Sequence, residues 1–279
     1  MRATRVELKS PEQFRSMRAA GLVVQRTLAR LAAATAPGVT TADLDQVARE
    51  EIARAGAVSS FLGYDAGYGL PAYPAVTCIS VNSEVVHGIP GPRVLVSGDL
   101  VSFDFGVSVA GWHGDSAVTV AVGEVASEVA QLSAVTREAM WAGVAAVRPG
   151  GRIGDVGHAI ESSVRSHGAL YGIVADFTGH GIGSAMHMAP DVPNRGRPGS
   201  GVGLRTGMAL AVEPMLTLGR APVATLDDEW TVVTRDGSVA AHWEHTVALT
   251  ERGLWVLTAE DGGEAELTAR GAPFGPLAD

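Results

Sequence analysis

Leu100-Val101-Ser102-Phe103-Asp104-Phe105-Gly106-Val107-Ser108-Val109 is followed, after a short turn, by His113-Gly114-Asp115-Ser116-Ala117-Val118-Thr119-Val120-Ala121-Val122. β-Branched and aromatic residues crowd both runs, which read as strands over residues 100–109 and 116–122. Asp104 stands in the first of them among Val101, Ser102, Phe103 and Phe105. Side chains alternate faces along a strand, so a carboxylate there has to be paired or aimed into a cavity. Asp115 comes eleven residues later, the separation that two strands joined by a hairpin need to bring both acids to one depth.

Outward from this pair the chain repeats itself. Gly98 precedes Asp104 by six residues, and Gly207 precedes Glu213 by the same six. His113-x-Asp115 recurs as His242-x-Glu244, His87-Gly88-Ile89 as His180-Gly181-Ile182, and Pro37-Gly38 with Asp43 as Pro149-Gly150 with Asp155. The offsets drift between 93 and 129 residues, but the order is kept. Helices precede the strands in both halves. Ser10-Pro11-Glu12-Gln13 opens the first with a capping serine, a proline at the first helical position and a glutamine placed to close a capping box. It runs to about Ala36, where Pro37-Gly38 stops it. A second is expected over 41–55 before Gly56, a third over 126–147 and a fourth over 153–166. Further strands are expected at 76–81, 208–216, 230–234 and 239–249, with Asp236-Gly237 as a hairpin turn between the last two. The expectation is an α/β chain in one domain over residues 1–279, built of duplicated halves at about 10–148 and 149–260.

Four carboxylates, Asp104, Asp115, Glu213 and Glu244, converging on one apolar-walled pocket cannot all ionise without cations, because like charges raise each other's pKa. Oxygen and imidazole ligands without a thiolate suit cobalt, manganese, iron or zinc in a reactive centre rather than structural zinc. Two such ions about 3.5–4 Å apart polarise a carbonyl and lower the pKa of a shared water, so hydrolysis is the expected reaction.

Composition narrows the setting. With 46% hydrophobic residues over 279 positions the chain can bury a sizeable core. Its net charge of −9, with 20 arginines and one lysine spread thinly, offers no basic patch for nucleic acid. The one cysteine, Cys78, cannot form an internal disulfide, and no segment has the apolar length of a signal peptide or a membrane span. A cytoplasmic protein with no membrane partner is expected.

The strings Asn82-Ser83-Glu84-Val85-Val86-His87-Gly88-Ile89-Pro90, Gly114-Asp115-Ser116, Gly179-His180-Gly181-Ile182-Gly183, Glu213-Pro214-Met215 and Glu244-His245-Thr246 resemble the signature segments of type I methionine aminopeptidases. That resemblance implies the pita-bread fold, a duplicated α/β half-domain with a curved, mainly antiparallel sheet. It implies a cofactor of two divalent metal ions held by Asp104, Asp115, His180, Glu213 and Glu244, with Asp115 and Glu244 bridging. His87 would sit beside the scissile peptide, His187 would hydrogen-bond the substrate carbonyl or the oxyanion formed from it, and Glu213 would also shuttle a proton. Tyr73, Cys78 and Trp230 match positions that wall the methionine pocket, and Met186 stands where an aromatic residue is common. The implied partners are N-termini of peptides and nascent proteins, met transiently at the ribosome, for an enzyme acting as a monomer.

The chain departs from the family in places. Met188 and Ala189 follow His187 where two glutamates are common, Leu70 takes a place where tyrosine is frequent, and Gly67 to Pro71 reads as a divergent loop. Simpler readings remain beside the functional ones. Cys78 and Trp230 are also plausible core residues, His113, His242 and His245 are expected to support ligands or face solvent, and His158 and His167 read as surface residues. Two rival functions are open: an Xaa-Pro aminopeptidase or prolidase, expected behind an extra N-terminal domain of about 100 residues, and a binding protein that has lost catalysis, expected to lack a ligand.

Overall fold

A computed structural model of the chain describes residues 6–65, 67, 69–168 and 171–277. Met1 to Arg5, Tyr68 of the divergent loop and the last two residues lie outside the described residues. Helix α1 (Pro11–Ala34) starts where its cap predicts: Ser10 accepts from the Gln13 amide, and the Gln13 side chain accepts from the Ser10 amide at 2.7 Å. Helix α2 (Thr41–Ala55) is closed by Thr40 and Asp43 in the same way, and ends on Gly56 in the left-handed conformation. Strands β1 (Val58–Ser59), β2 (Cys78–Val81), β3 (Glu84–Val86), β4 (Leu100–Val109) and β5 (Trp112–Ala121) follow. Next come α3 (Ser127–Ala146), α4 (Ile153–Ser166), β6 (Gly172–Ile173), β7 (Gly179–Gly181), β8 (Met188–Val192), β9 (Ala209–Val212) and β10 (Met215–Thr217). The chain then forms β11 (Val223–Thr225), β12 (Val232–Thr234), β13 (Ala240–His242), β14 (Glu244–Leu249), β15 (Leu254–Val256) and α5 (Glu264–Ala269).

The main sheet is antiparallel in the order β1-β4-β5-β14-β9-β7-β8, with β2 also on β4 and β15 on β14. Helices α1 and α2 cover its first half through Val24, Leu28, Leu31, Leu44, Phe103 and Phe105. Helices α3 and α4 cover the second through Met140, Val144, Ile160, Leu210, Val212 and Val247. The pseudo-twofold repeat is visible in the backbone. The Gly38 amide donates to Leu95 O at 2.8 Å and the Gly150 amide to Leu204 O at 3.1 Å. Isolated bridges pair Thr40 with Val94 and Arg152 with Gly203, and Gly98 and Gly207 both take positive φ.

Two expected strands divide. The run 208–216 breaks at Glu213-Pro214 into β9 in the main sheet and β10 in a small sheet with β13 and β6. The run 239–249 breaks at Trp243 into β13 and β14, again in different sheets. Pro214 has no amide to continue a ladder, so the chain changes sheet there. Asp236-Gly237 does form a turn, with Gly237 at φ 72°, but not a hairpin: β12 pairs with β11 and β3, whereas β13 pairs with β10. Strand β5 starts earlier than expected and takes in His113-Gly114-Asp115, because β4 pairs with it along its whole length.

Helix α1 crosses the sheet on glycines. A Cβ at Gly21 would lie 2.2 Å from Leu257 O, and one at Gly114 would lie 2.8 Å from the Gly21 amide nitrogen. The obstructing atoms are backbone and cannot rotate away. Gly21→Ala is therefore expected to destabilise the fold by about 2–3 kcal/mol despite alanine's better helix propensity. A denaturant midpoint equal to or above that of the unaltered chain would show that α1 does not pack this closely.

Candidate metal centre and active site

Strand register gathers the acids. Ala117 pairs with Asp104 on one side and with Glu244 on the other, and Asp104 also pairs with Cys78. Paired residues point to the same face, so Cys78, Asp104, Ala117 and Glu244 form one row across β2, β4, β5 and β14. Asp115 lies two residues before Ala117 on that face, opposite Gly106, where a Cβ would come within 2.9 Å of Asp115 Oδ1. His245 pairs with Val212, which brings Glu213, just past β9, beside Glu244. Asp115 is thus the diagonal neighbour of Asp104 and Glu244, and the depth of the acids is shared because the strands are in register.

His180 on β7 completes the group. Asp115, His180 and Glu244 offer ligand atoms within 4.8 Å of one another, and His180 Nε2 lies 3.4 Å from Glu213 Oε1. His180 Nδ1 faces the Gly181 carbonyl at 3.0 Å; a carbonyl only accepts, so Nδ1 carries the proton and Nε2 keeps its lone pair for a metal. Asp104 Oδ1, Asp115 Oδ1 and Glu244 Oε1 are buried without a hydrogen-bond partner.

Burial, and then the charge of Asp115, push Asp104 and Glu213 well above the usual carboxylate range; Glu244 is raised in the same way, and burial lifts Asp115 to about 7. Burial also depresses the imidazoles, His180 to about 3 and His87 and His187 to about 4. Three acids with an orphaned oxygen, Glu213 beside His180 and a neutral imidazole lone pair make a donor set that fits divalent cations. Cys78 stays a thiol, its pKa raised by burial and by Asp104, and contributes no thiolate.

A cavity of about 190 Å³ opens over the acids. Of the residues expected to wall it, Tyr73, Cys78, Met186 and Trp230 all do, and His87 and His187 line it as well. The Tyr73 hydroxyl turns away to donate to Thr77 O and Gly88 O, both at 3.0 Å, leaving its ring to the cavity, edge to face with Trp230 at 5.2 Å. His87 is held at φ 60°, unusual for a residue with a Cβ, its ring against Phe177 and Trp230.

Phe61 and Tyr64 also line the cavity and went unrecognised in the sequence. Leu70 does not line it. Hydrogen bonds from the Gly63 amide to Tyr73 O and from the Tyr73 amide to Tyr64 O, at 2.8 and 3.0 Å, close the segment between Tyr64 and Tyr73 into a loop, so Tyr64 stands at the site instead. The aromatic spacing Tyr64 to Tyr73 was the available signal. His242 is buried with Nε2 3.6 Å from Glu213 Oε2, on a second cavity of about 250 Å³ beside the acids. His113 Nδ1 is 2.8 Å from Ser60 Oγ, and half-buried His245 lies 2.9 Å from Thr258 Oγ1 against Trp141, so neither faces solvent freely. His158 and His167 are exposed.

Residues 15–251 match the model of metallopeptidase family M24. Methionine aminopeptidase 1 of Mycobacterium tuberculosis is 49% identical over 91% of this chain and 95% of that protein. Methionine aminopeptidase of Clostridium acetobutylicum is 47% identical over 90% of this chain and 98% of that protein. The crystal structure of methionine aminopeptidase from Thermotoga maritima superposes with a TM-score of 0.87 at 40% identity, over 92% of this chain and all of that one, and shares its pita-bread architecture. The chain belongs to metallopeptidase family M24, among its methionine aminopeptidases, and is a metal-dependent hydrolase.

Proposed function

We propose that the protein removes the N-terminal methionine of peptides and nascent proteins whose second residue is small, with two divalent metal ions in the site. The observation that carries this reading is that Asp104, Asp115, Glu213, Glu244 and His180 line one cavity with Phe61, Tyr73, Met186 and Trp230, three of the acids holding a buried oxygen without a partner. Asp104, Asp115, His180, Glu213 and Glu244 would hold the ions, with Asp115 and Glu244 reaching both. When bound, such a pair polarises the scissile carbonyl and lowers the pKa of water. The apolar wall takes the methionine side chain, and a small second residue fits beside His87 and the acids that share the cavity. His87 orients the scissile amide, and His187 donates to the carbonyl oxygen as charge develops on it. Glu213 takes the proton of the attacking water and returns it to the leaving amine.

One chain supplies every residue of this site, which supports action as a monomer; the setting we propose is N-termini emerging from the ribosome in the cytoplasm. No helix among the described residues is long and apolar enough to cross a membrane. The backbone repeat supports two half-domains at about 10–148 and 149–260 of a single domain. The test is release of methionine from Met-Ala-Ser and from Met-Phe-Ser by the purified chain with manganese or cobalt. Rapid release from the first and little from the second is expected; cleavage of Xaa-Pro peptides instead, or no release with any of cobalt, manganese, iron and zinc, would refute the reading.

A further inference from the structure

His187 and His180 are neighbours in ring contact, centroids 4.4 Å apart, yet their Nδ1 atoms meet opposite kinds of group. His180 Nδ1 faces a carbonyl, which can only accept. His187 Nδ1 faces the Tyr64 hydroxyl at 2.6 Å, the two rings edge to face at 5.1 Å, and a hydroxyl can donate. A neutral imidazole has one N–H and one lone pair, and the partner of one nitrogen decides what the other presents. We propose that Tyr64 is a positioning residue that donates to His187 Nδ1 and thereby fixes the Nε2–H tautomer, so that His187 presents a donor where His180 presents a lone pair.

The surroundings favour that direction of donation. The opposite tautomer would leave a His187 Nε2 lone pair in a pocket already lined by Asp104, Asp115, Glu213 and Glu244, with no donor role for the ring. The hydroxyl has no other hydrogen-bond partner among the described residues, so its proton is free to go to the ring. Tyr64 is also well placed to act as a fixed point. Its amide donates to Phe61 O at 2.8 Å and its carbonyl accepts from the Tyr73 amide at 3.0 Å, which anchors it at the neck of the loop rather than on the loop itself. From the other side, the Gly183 carbonyl accepts from the His113 amide at 2.9 Å and the Ser184 amide donates to Glu7 Oε1 at 3.2 Å, securing the segment that carries His187. Both segments that carry the pair are thus anchored, and the ring's tautomer is set by one hydroxyl.

The consequence for catalysis rests on the proposal that His187 donates to the substrate carbonyl. Tyr64→Phe keeps the ring and removes the donor. On Met-Ala-Ser it is expected to lower kcat about tenfold, the scale of one lost hydrogen bond, with KM unchanged. In a His187→Ala background the same change is expected to have no further effect. The tautomer itself is read from imidazole ¹⁵N shifts of the zinc-loaded, histidine-labelled chain: Nε2 protonated in the unaltered protein, a mixture of tautomers in Tyr64→Phe. An Nδ1–H ring in the unaltered protein, an unchanged kcat, or an equal fall in the His187→Ala background overturns the proposal. The ¹⁵N arm needs no turnover, so it decides the tautomer even if the chain fails to release methionine and the functional reading falls.

Discussion

Asp115→Asn is expected to lower methionine release by at least about a thousandfold, the scale of removing a group on which transition-state charge depends, and to leave no more than one metal ion per chain. The substitution keeps the shape of the side chain, and the backbone beneath it is fixed: Thr246 Oγ1 donates to Asp115 O at 2.8 Å and receives the Asp115 amide at 3.3 Å. The fold should therefore persist. What changes is charge. Asp115 is 3% exposed, with Oδ1 unpartnered, between Asp104 and Glu244. An amide cannot bridge two cations, and one of its ends is a donor that repels them. Without metal, the same change removes one of four crowded acids, so the metal-free variant is expected to melt above the metal-free parent. Metal content by mass spectrometry, turnover on Met-Ala-Ser and a thermal melt read the three effects. Full activity with full metal content would show that Asp115 does not bridge.

Removal of metal from the unaltered chain is expected to make its stability fall steadily between about pH 6.5 and pH 9, while the metal-loaded chain holds or gains. A carboxyl whose folded pKa lies above its unfolded value stabilises fully below the unfolded value, and loses that contribution as pH climbs through the folded one. Asp115, raised from 3.8 to about 7, and Asp104, Glu213 and Glu244, raised well above their usual range, all act in this sense. The histidines of the site act oppositely. His87 and His187 at about 4, and His180 and His242 at about 3, contribute above the ordinary 6.5 and lose that contribution as pH falls. The two sets oppose each other below 6.5, and only the carboxyls act above it. Metal binding must then expel the carboxyl protons, so it releases protons to buffer and tightens as pH rises. Melting curves across this pH range, with calorimetry in two buffers of different ionisation enthalpy, test both. A metal-free melting temperature that stays level or climbs above pH 7 would show that the acids are already ionised.

The residues of this site were legible because their chemistry conflicts with their neighbourhood. Asp104 among Val101, Phe103 and Phe105 is costly unless it has a task, and the repeat pairs it with Glu213 across the chain. The capping boxes of α1 and α2 are local hydrogen-bond patterns, and both helices begin where their caps predict. Strand β7 and its neighbour β8 were not legible: Gly179-His180-Gly181 has no strand propensity, and its pairing with β8 and β9 makes it a strand.

The sequence by itself determined which groups bear charge, how far apart they lie along the chain and that they come in two matching sets. Only the tertiary structure decided how they meet. Ala117 pairing with both Asp104 and Glu244, and the closing of Tyr64 onto Tyr73, each join residues through backbone hydrogen bonds. Such bonds carry no side-chain signature, because every residue but proline offers the same donor and acceptor.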